Sequence, residues 1–194
     1  MPDPLHGSAG QLPLVSGAWL SVAAPDPAHI SIEVIAYGLA SECRWGGQTR
    51  PRVTVAEHCL LTEQVACVLN LPRRLHVLAL LHDAAEGLGL HDLPTPVKAD
   101  LPGYAAIEGR FMAAVWRALD VPPPTDSEAN LIKGIDREVG SSERRDLFRD
   151  ATDPAWANQE RPSAFVYVMG LSPEDAECMF LHTWNGLTQG DTHA

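Results

Sequence analysis

His82 and Asp83 stand side by side at the end of an apolar run, Leu75–Leu81. Glu86 follows at helical spacing, four residues beyond the histidine and three beyond the aspartate. A helical end of this kind projects one imidazole and two carboxylates toward a common volume. Burying such groups together is costly unless something compensates their charge. A divalent metal is the economical partner, because it takes neutral imidazole nitrogen and carboxylate oxygen together. The remaining ligands must come from elsewhere. His58 lies on a stripe continued by Leu61 and Val65, and Asp136 follows Ile132 and Ile135 and precedes Val139. The order His, then His-Asp, then Asp on three separate helices marks a candidate metal centre.

Those residues need helices to hold them. Ser31 is a plausible N-cap for "SIEVIAYGLASE", and Thr54 with Glu57 has capping-box spacing at the start of a helix running to Leu69. A third helix is expected from Leu75 to about Glu86, apolar on most sides and hence central. Further helices are expected at about Tyr104–Leu119, Ser127–Arg145 and Ser172–Trp184. The last has Ser172 at its cap, Pro173 next, then Glu174 and Asp175 against the helix dipole. Glycines and prolines make "GLGLHDLPTPVKADLPG" a loop, and "ECRWGGQTRPR" an irregular, cationic one. Two short β-prone stretches, Ser16–Val22 and Ala164–Met169, are expected to pair. The class is all-α with at most a small hairpin. The expected organisation is a flexible segment 1–13, one domain over 14–187 and a flexible tail 188–194.

Composition narrows the partners. The chain has 194 residues, 45% hydrophobic, enough for one well-buried core. Its formal net charge of −11 opposes any long nucleic acid, while locally placed arginines still suit a small anion. No run approaches the about 20 apolar residues of a membrane span, and the start lacks the pattern of a secretory signal. Four cysteines without CxxC spacing read as free thiols, Cys59 and Cys67 as buried ones, in a reducing, cytoplasmic setting.

The set His58…His82-Asp83…Asp136, with the flanking words "CRWGGQTR…VTVAEHCLL", "ALLHDAAE", "DLPTPVK", "LPGYAAIE" and "SERRDLF", resembles the HD-domain metal-dependent phosphohydrolases. Within them it is similar to the 5′-deoxynucleotidase branch with its phage and prophage relatives, dATP triphosphohydrolases included. The resemblance covers about residues 14–150. It implies an HD-type helical bundle and a homo-oligomer. It makes His58, His82, Asp83 and Asp136 the ligands of one divalent transition metal (cobalt, manganese or zinc). Glu86 and Asp92 become the catalytic carboxylates, and Arg44 and Trp45 contact phosphate and deoxyribose. Relatives place one residue fewer between the positions of Glu86 and Asp92, so "GLGLH" carries an insertion. Lys98 adds a point charge for phosphate, and Pro94 and Pro96 stiffen a pocket wall.

The expected activity is release of phosphate from deoxynucleoside 5′-monophosphates by metal-activated water, with Glu86 or Asp92 orienting the water or protonating the leaving oxygen. One alternative is release of tripolyphosphate from a dNTP, with Arg50, Arg52 and Lys98 as extra cations. Another is a nucleotide-binding regulatory module without turnover. His6, His29, His76, His182 and His193 lack ligand-like context, and Arg144 and Arg145 suit a helix C-terminus.

Overall fold

In the computed structural model, which describes residues 10–148 and 161–189, the first elements described form a hairpin. Strand β1 (Gln11–Pro13) pairs antiparallel with β2 (Trp19–Ser21), Leu12 opposite Leu20. Strand β1 lies inside the stretch expected to be loose. Residues 1–9 and 190–194 of the expected flexible ends fall outside the described residues, as do His6 and His193. The strand expected at Ala164–Met169 does not join this sheet. Its end and the residues after it are held by carboxylates instead: Val168 N–H donates to Asp146, and the N–H groups of Met169, Gly170 and Leu171 all donate to Glu57 at 2.7–3.0 Å. A segment whose amides are satisfied by side chains does not need a ladder partner.

Helix α1 (Ile32–Ser41) is capped by Ser31, whose hydroxyl accepts from Val34 N–H. Helix α2 (Val55–Val68) starts at Thr54, whose hydroxyl accepts from Glu57 N–H at 3.1 Å. Only this half of the capping box forms, because Glu57 reaches to residues 169–171. Helix α3 (Arg73–Leu81) is shorter than expected. Beyond it the chain tightens, with N–H groups of Ala84, Glu86 and Leu88 donating to carbonyls three residues back, and a 3₁₀ turn spans Glu86–Leu88. Its cause is close packing: Gly87 lies against Gly38 of α1 so closely that a Cβ on either would overlap backbone of the other element.

A short helix α4 (Thr95–Ala99) occupies the expected loop, with Pro96 in its first turn where the missing N–H costs nothing. Helix α5 spans Tyr104–Ala118. Helix α6 (Asp126–Leu147) opens on a complete capping box between Thr125 and Glu128. Helix α7 (Pro173–Thr188) is capped by Ser172 and runs a turn past Trp184.

The central helix is α2 rather than α3. Ten of its 14 residues are buried, and it contributes to both apolar clusters. One joins it to α1, α5, α7 and residues 84–88; the other joins it to α3, α6 and Val166. Its sequence concealed this because Glu57, His58 and Thr62 are polar yet buried. All four cysteines are free, Cys59 buried and Cys67 exposed, contrary to expectation for the latter. Among the described residues no helix is long and apolar enough to cross a membrane.

Candidate metal centre

His58 projects from the second turn of α2, wholly buried, where Thr62 caps its carbonyl. His82 and Asp83 sit where α3 ends, and Asp136 lies one residue beyond buried Ile135 on α6. Packing of α3 and α6 onto α2 brings His58, His82 and Asp83 into one group, with one Asp136 oxygen against His58 and the other accepting from Lys133 Nζ at 2.6 Å. His58 Nε2 is 3.2 Å from His82 Nε2, 3.0 Å from Asp136 Oδ1 and 3.7 Å from Asp83 Oδ2. His82 Nε2 is 3.1 Å from Asp83 Oδ2 and 3.8 Å from Asp136 Oδ1.

The other nitrogen of each ring is committed. His58 Nδ1–H donates to Glu143 Oε1 at 2.7 Å, and His82 Nδ1–H to the Ala79 carbonyl at 2.8 Å. In neutral imidazoles this turns both Nε2 lone pairs toward each other and toward two carboxylate oxygens. Acceptors facing acceptors repel, and a cation between them removes the conflict. Outer hydrogen bonds of this type orient metal-bound histidines. His58, His82 and Asp83 thus form a group that could hold a metal ion. Without a cation the cluster can cohere only as imidazolium–carboxylate pairs. Burial disfavours every charge there, yet Asp83 and Asp136 raise His82 well above the usual imidazole range, and the histidines hold both aspartates low.

Glu86 lies buried beside this point. Its Oε1 accepts from Lys98 Nζ at 2.8 Å, while buried Oε2 has no hydrogen-bond partner among the described residues. Burial, then the charges of Asp83 and Asp92, push its carboxyl up to about 8 against the opposing pull of Lys98. Lys98 also reaches Glu108, at 3.3 Å. Pro96, expected in a pocket wall, is exposed on α4.

The loop between α1 and α2 supplies the cationic side. A bridge between Cys43 and Thr54 closes it. Arg44 Nη1 donates to Asp92 at 3.0 Å, and its Nε and Nη2 face Glu143 Oε2 at 3.4 Å. Trp45 Nε1–H donates to that same oxygen at 3.0 Å, and its ring meets Phe148 edge-on at 5.2 Å. Trp45 holds left-handed backbone, φ 56° and ψ 30°, with Gly46 and Gly47 also at positive φ. For a bulky residue this costs on the order of 1 kcal/mol or more and persists only where surroundings impose it. Asp92, expected as a catalytic acid, is engaged with Arg44.

Glu143 stands outside the residues that type and spacing mark in the sequence. It is fully buried, and the charges of Arg44 and His58 overcome burial to bring its carboxyl down to about 2. One signal was present: it follows Asp136 by seven residues, two helical turns along the same face. His91 is exposed and pairs with Glu42, and His76 pairs with Glu63.

Fold and centre together define an all-α protein with a small hairpin and a His–His–Asp group, buried at His58 and partly buried at the other two, that could hold a metal ion. No protein-family model matches the chain. The uncharacterized protein YfdR of Escherichia coli K12 is 31% identical over 162 residues, 82% of this chain and 85% of YfdR. The uncharacterized protein RCAP_rcc00048 of Rhodobacter capsulatus is 42% identical over 114 residues, which span 56% of this chain and 58% of that protein. The chain belongs to the family that contains YfdR.

Proposed function

We propose that this protein is a metal-dependent phosphohydrolase of the HD-domain type that removes phosphate from deoxynucleoside 5′-monophosphates. The observation that carries the reading is the convergence of four donors from three helices within 3.8 Å of the two Nε2 atoms, with the Arg44 guanidinium and the Glu86 carboxyl flanking them. His58, His82, Asp83 and Asp136 would hold a divalent transition ion, cobalt, manganese or zinc. Such an ion supplies Lewis acidity toward a phosphate oxygen and lowers the pKa of an attacking water.

The chain's own groups divide the remaining work. Arg44 offers a planar fork to phosphate oxygens, pre-aligned by Asp92 on one side and Glu143 on the other. Glu86 is the better candidate of the two carboxyls for proton transfer. Its Oε2 is free of partners among the described residues, whereas Asp92 is paired with Arg44. Lys98 holds Glu86 in place through Oε1. Trp45, locked in its unusual backbone conformation, presents a rigid ring against which a sugar can pack.

A second reading, tripolyphosphate release from a dNTP, is favoured by one observation. Arg50 and Arg52 line a cavity of about 860 Å³ with Gln48, Asp146 and Phe148, next to the Trp45 ring. Incubation of the cobalt-, manganese- and zinc-loaded protein with each dNMP and dNTP, followed by phosphorus NMR, separates the readings. Orthophosphate from a dNMP supports the first and tripolyphosphate from a dNTP the second. Binding without either product indicates a nucleotide-binding regulatory module.

A further inference from the structure

Glu143 is a fully buried side chain that touches both halves of the site. Its Oε1 takes the Nδ1–H of His58 at 2.7 Å, and its Oε2 takes Trp45 Nε1–H at 3.0 Å and faces Arg44 Nε and Nη2 at 3.4 Å. A carboxylate removed from water is expensive, and these donors are what offset the cost. An apolar residue at this position of α6 would pack against α2 without that cost, so packing alone does not account for a charge here. The two oxygens are divided by function: one faces the candidate metal centre, the other the Arg44–Trp45 loop.

We infer that Glu143 is a positioning residue that ties His58 to the Arg44–Trp45 loop, so that a cation at the centre and the conformation of the loop depend on one another. The inference rests on the metal-centre reading above. A cation held by His58 would draw electron density from its ring, and the Nδ1–H bond to Glu143 Oε1 would then strengthen. Negative charge then concentrates less on Oε2, where the 3.4 Å contacts to Arg44 are the weakest of the set. Arg44 is the partner released toward an incoming phosphate, while the shorter Trp45 bond keeps the loop seated. Dependence in one direction requires dependence in the other.

The test uses the full chain as wild type and as Glu143→Gln, both checked for folding by circular dichroism. Gln keeps one acceptor but turns an amide N–H₂ toward donors at its other end, so it can serve one half of the site and not both. Cobalt is titrated by calorimetry while acrylamide quenching of Trp45 is followed, with Trp45→Phe as the background to subtract. Wild type should bind cobalt and become less quenched at Trp45. Glu143→Gln should bind roughly 10- to 100-fold more weakly, with no change in Trp45 quenching at saturation. If Glu143→Gln does not fold, Glu143→Asp, which is too short to span both sides, should show the same loss of response. Undiminished cobalt affinity, or an intact Trp45 response, in a folded variant overturns the inference while leaving the metal centre standing. Wild type that does not bind cobalt overturns both.

Discussion

Each histidine of the centre has its Nδ1 spoken for, by Glu143 and by the Ala79 carbonyl, so each can offer only Nε2 inward. This sets the inner groups apart from Glu86, whose Oε2 has no hydrogen-bond partner among the described residues. Two substitutions separate the roles. Asp83→Ala should abolish cobalt binding by calorimetry and turnover together, in a protein still folded by circular dichroism. Glu86→Gln should bind cobalt as wild type does yet lose roughly 100- to 10,000-fold in kcat, the usual contribution of a positioned acid or base. Full activity in Glu86→Gln would return the proton-transfer role to Asp92.

Among the elements, the turn after α3 matters most for aiming those side chains. Periodicity predicted an unbroken helix through Glu86, but Gly87 can approach Gly38 of α1 only because neither carries a Cβ, and the chain tightens to make that approach. Gly38→Ala would drive a methyl into backbone, which cannot rotate away. It should cost about 1–3 kcal/mol, read as a lowered urea midpoint. A second inter-element tie joins α3 to the start of α6. Arg74 donates to both oxygens of Glu128 at 2.6 and 3.0 Å, and Glu128 closes the capping box on Thr125. The hydrogen bonds from Arg74 and from Thr125 bring the Glu128 carboxyl down to about 2. A depressed carboxyl stabilises the fold above its unfolded pKa, about 4.3, and loses that contribution as pH falls toward 2. Wild type should therefore exceed Glu128→Gln in urea midpoint at pH 7, and the gap should narrow by pH 3. A gap of constant size would show that the charge on Glu128 contributes nothing.

For the molecule as a whole, a chain with 25 acidic and 14 basic side chains gathers carboxylates at its centre as well as its surface. A cation bound only by the folded state should stabilise it by mass action, by about 2.7 kcal/mol at one hundred times Kd. Chelator-treated protein should gain several degrees in Tm on addition of cobalt, and Asp83→Ala should not. An unmoved wild-type Tm would leave the grouping of His58, His82 and Asp83 without a cation to account for it.

Local signals carried far in this chain. Ser31, Thr54 and Ser172 cap the helices they were expected to cap, and the all-α class follows from apolar periodicity, because both depend on residues a few positions apart. His58, His82, Asp83 and Asp136 were legible as candidates by type and order, and the tertiary structure brings the first three into one group with Asp136 beside His58. What the sequence could not decide depends on distant neighbours. The partner of β2, the enclosure of α2, the break after Leu81 and the role of Glu143 each follow from contacts between segments far apart in the chain, as with His58 and Glu143, 85 residues apart. Periodicity records which face of an element is apolar. Only packing determines which buried polar group finds a donor, and that pairing is what turns an acidic residue on a helix into part of a site.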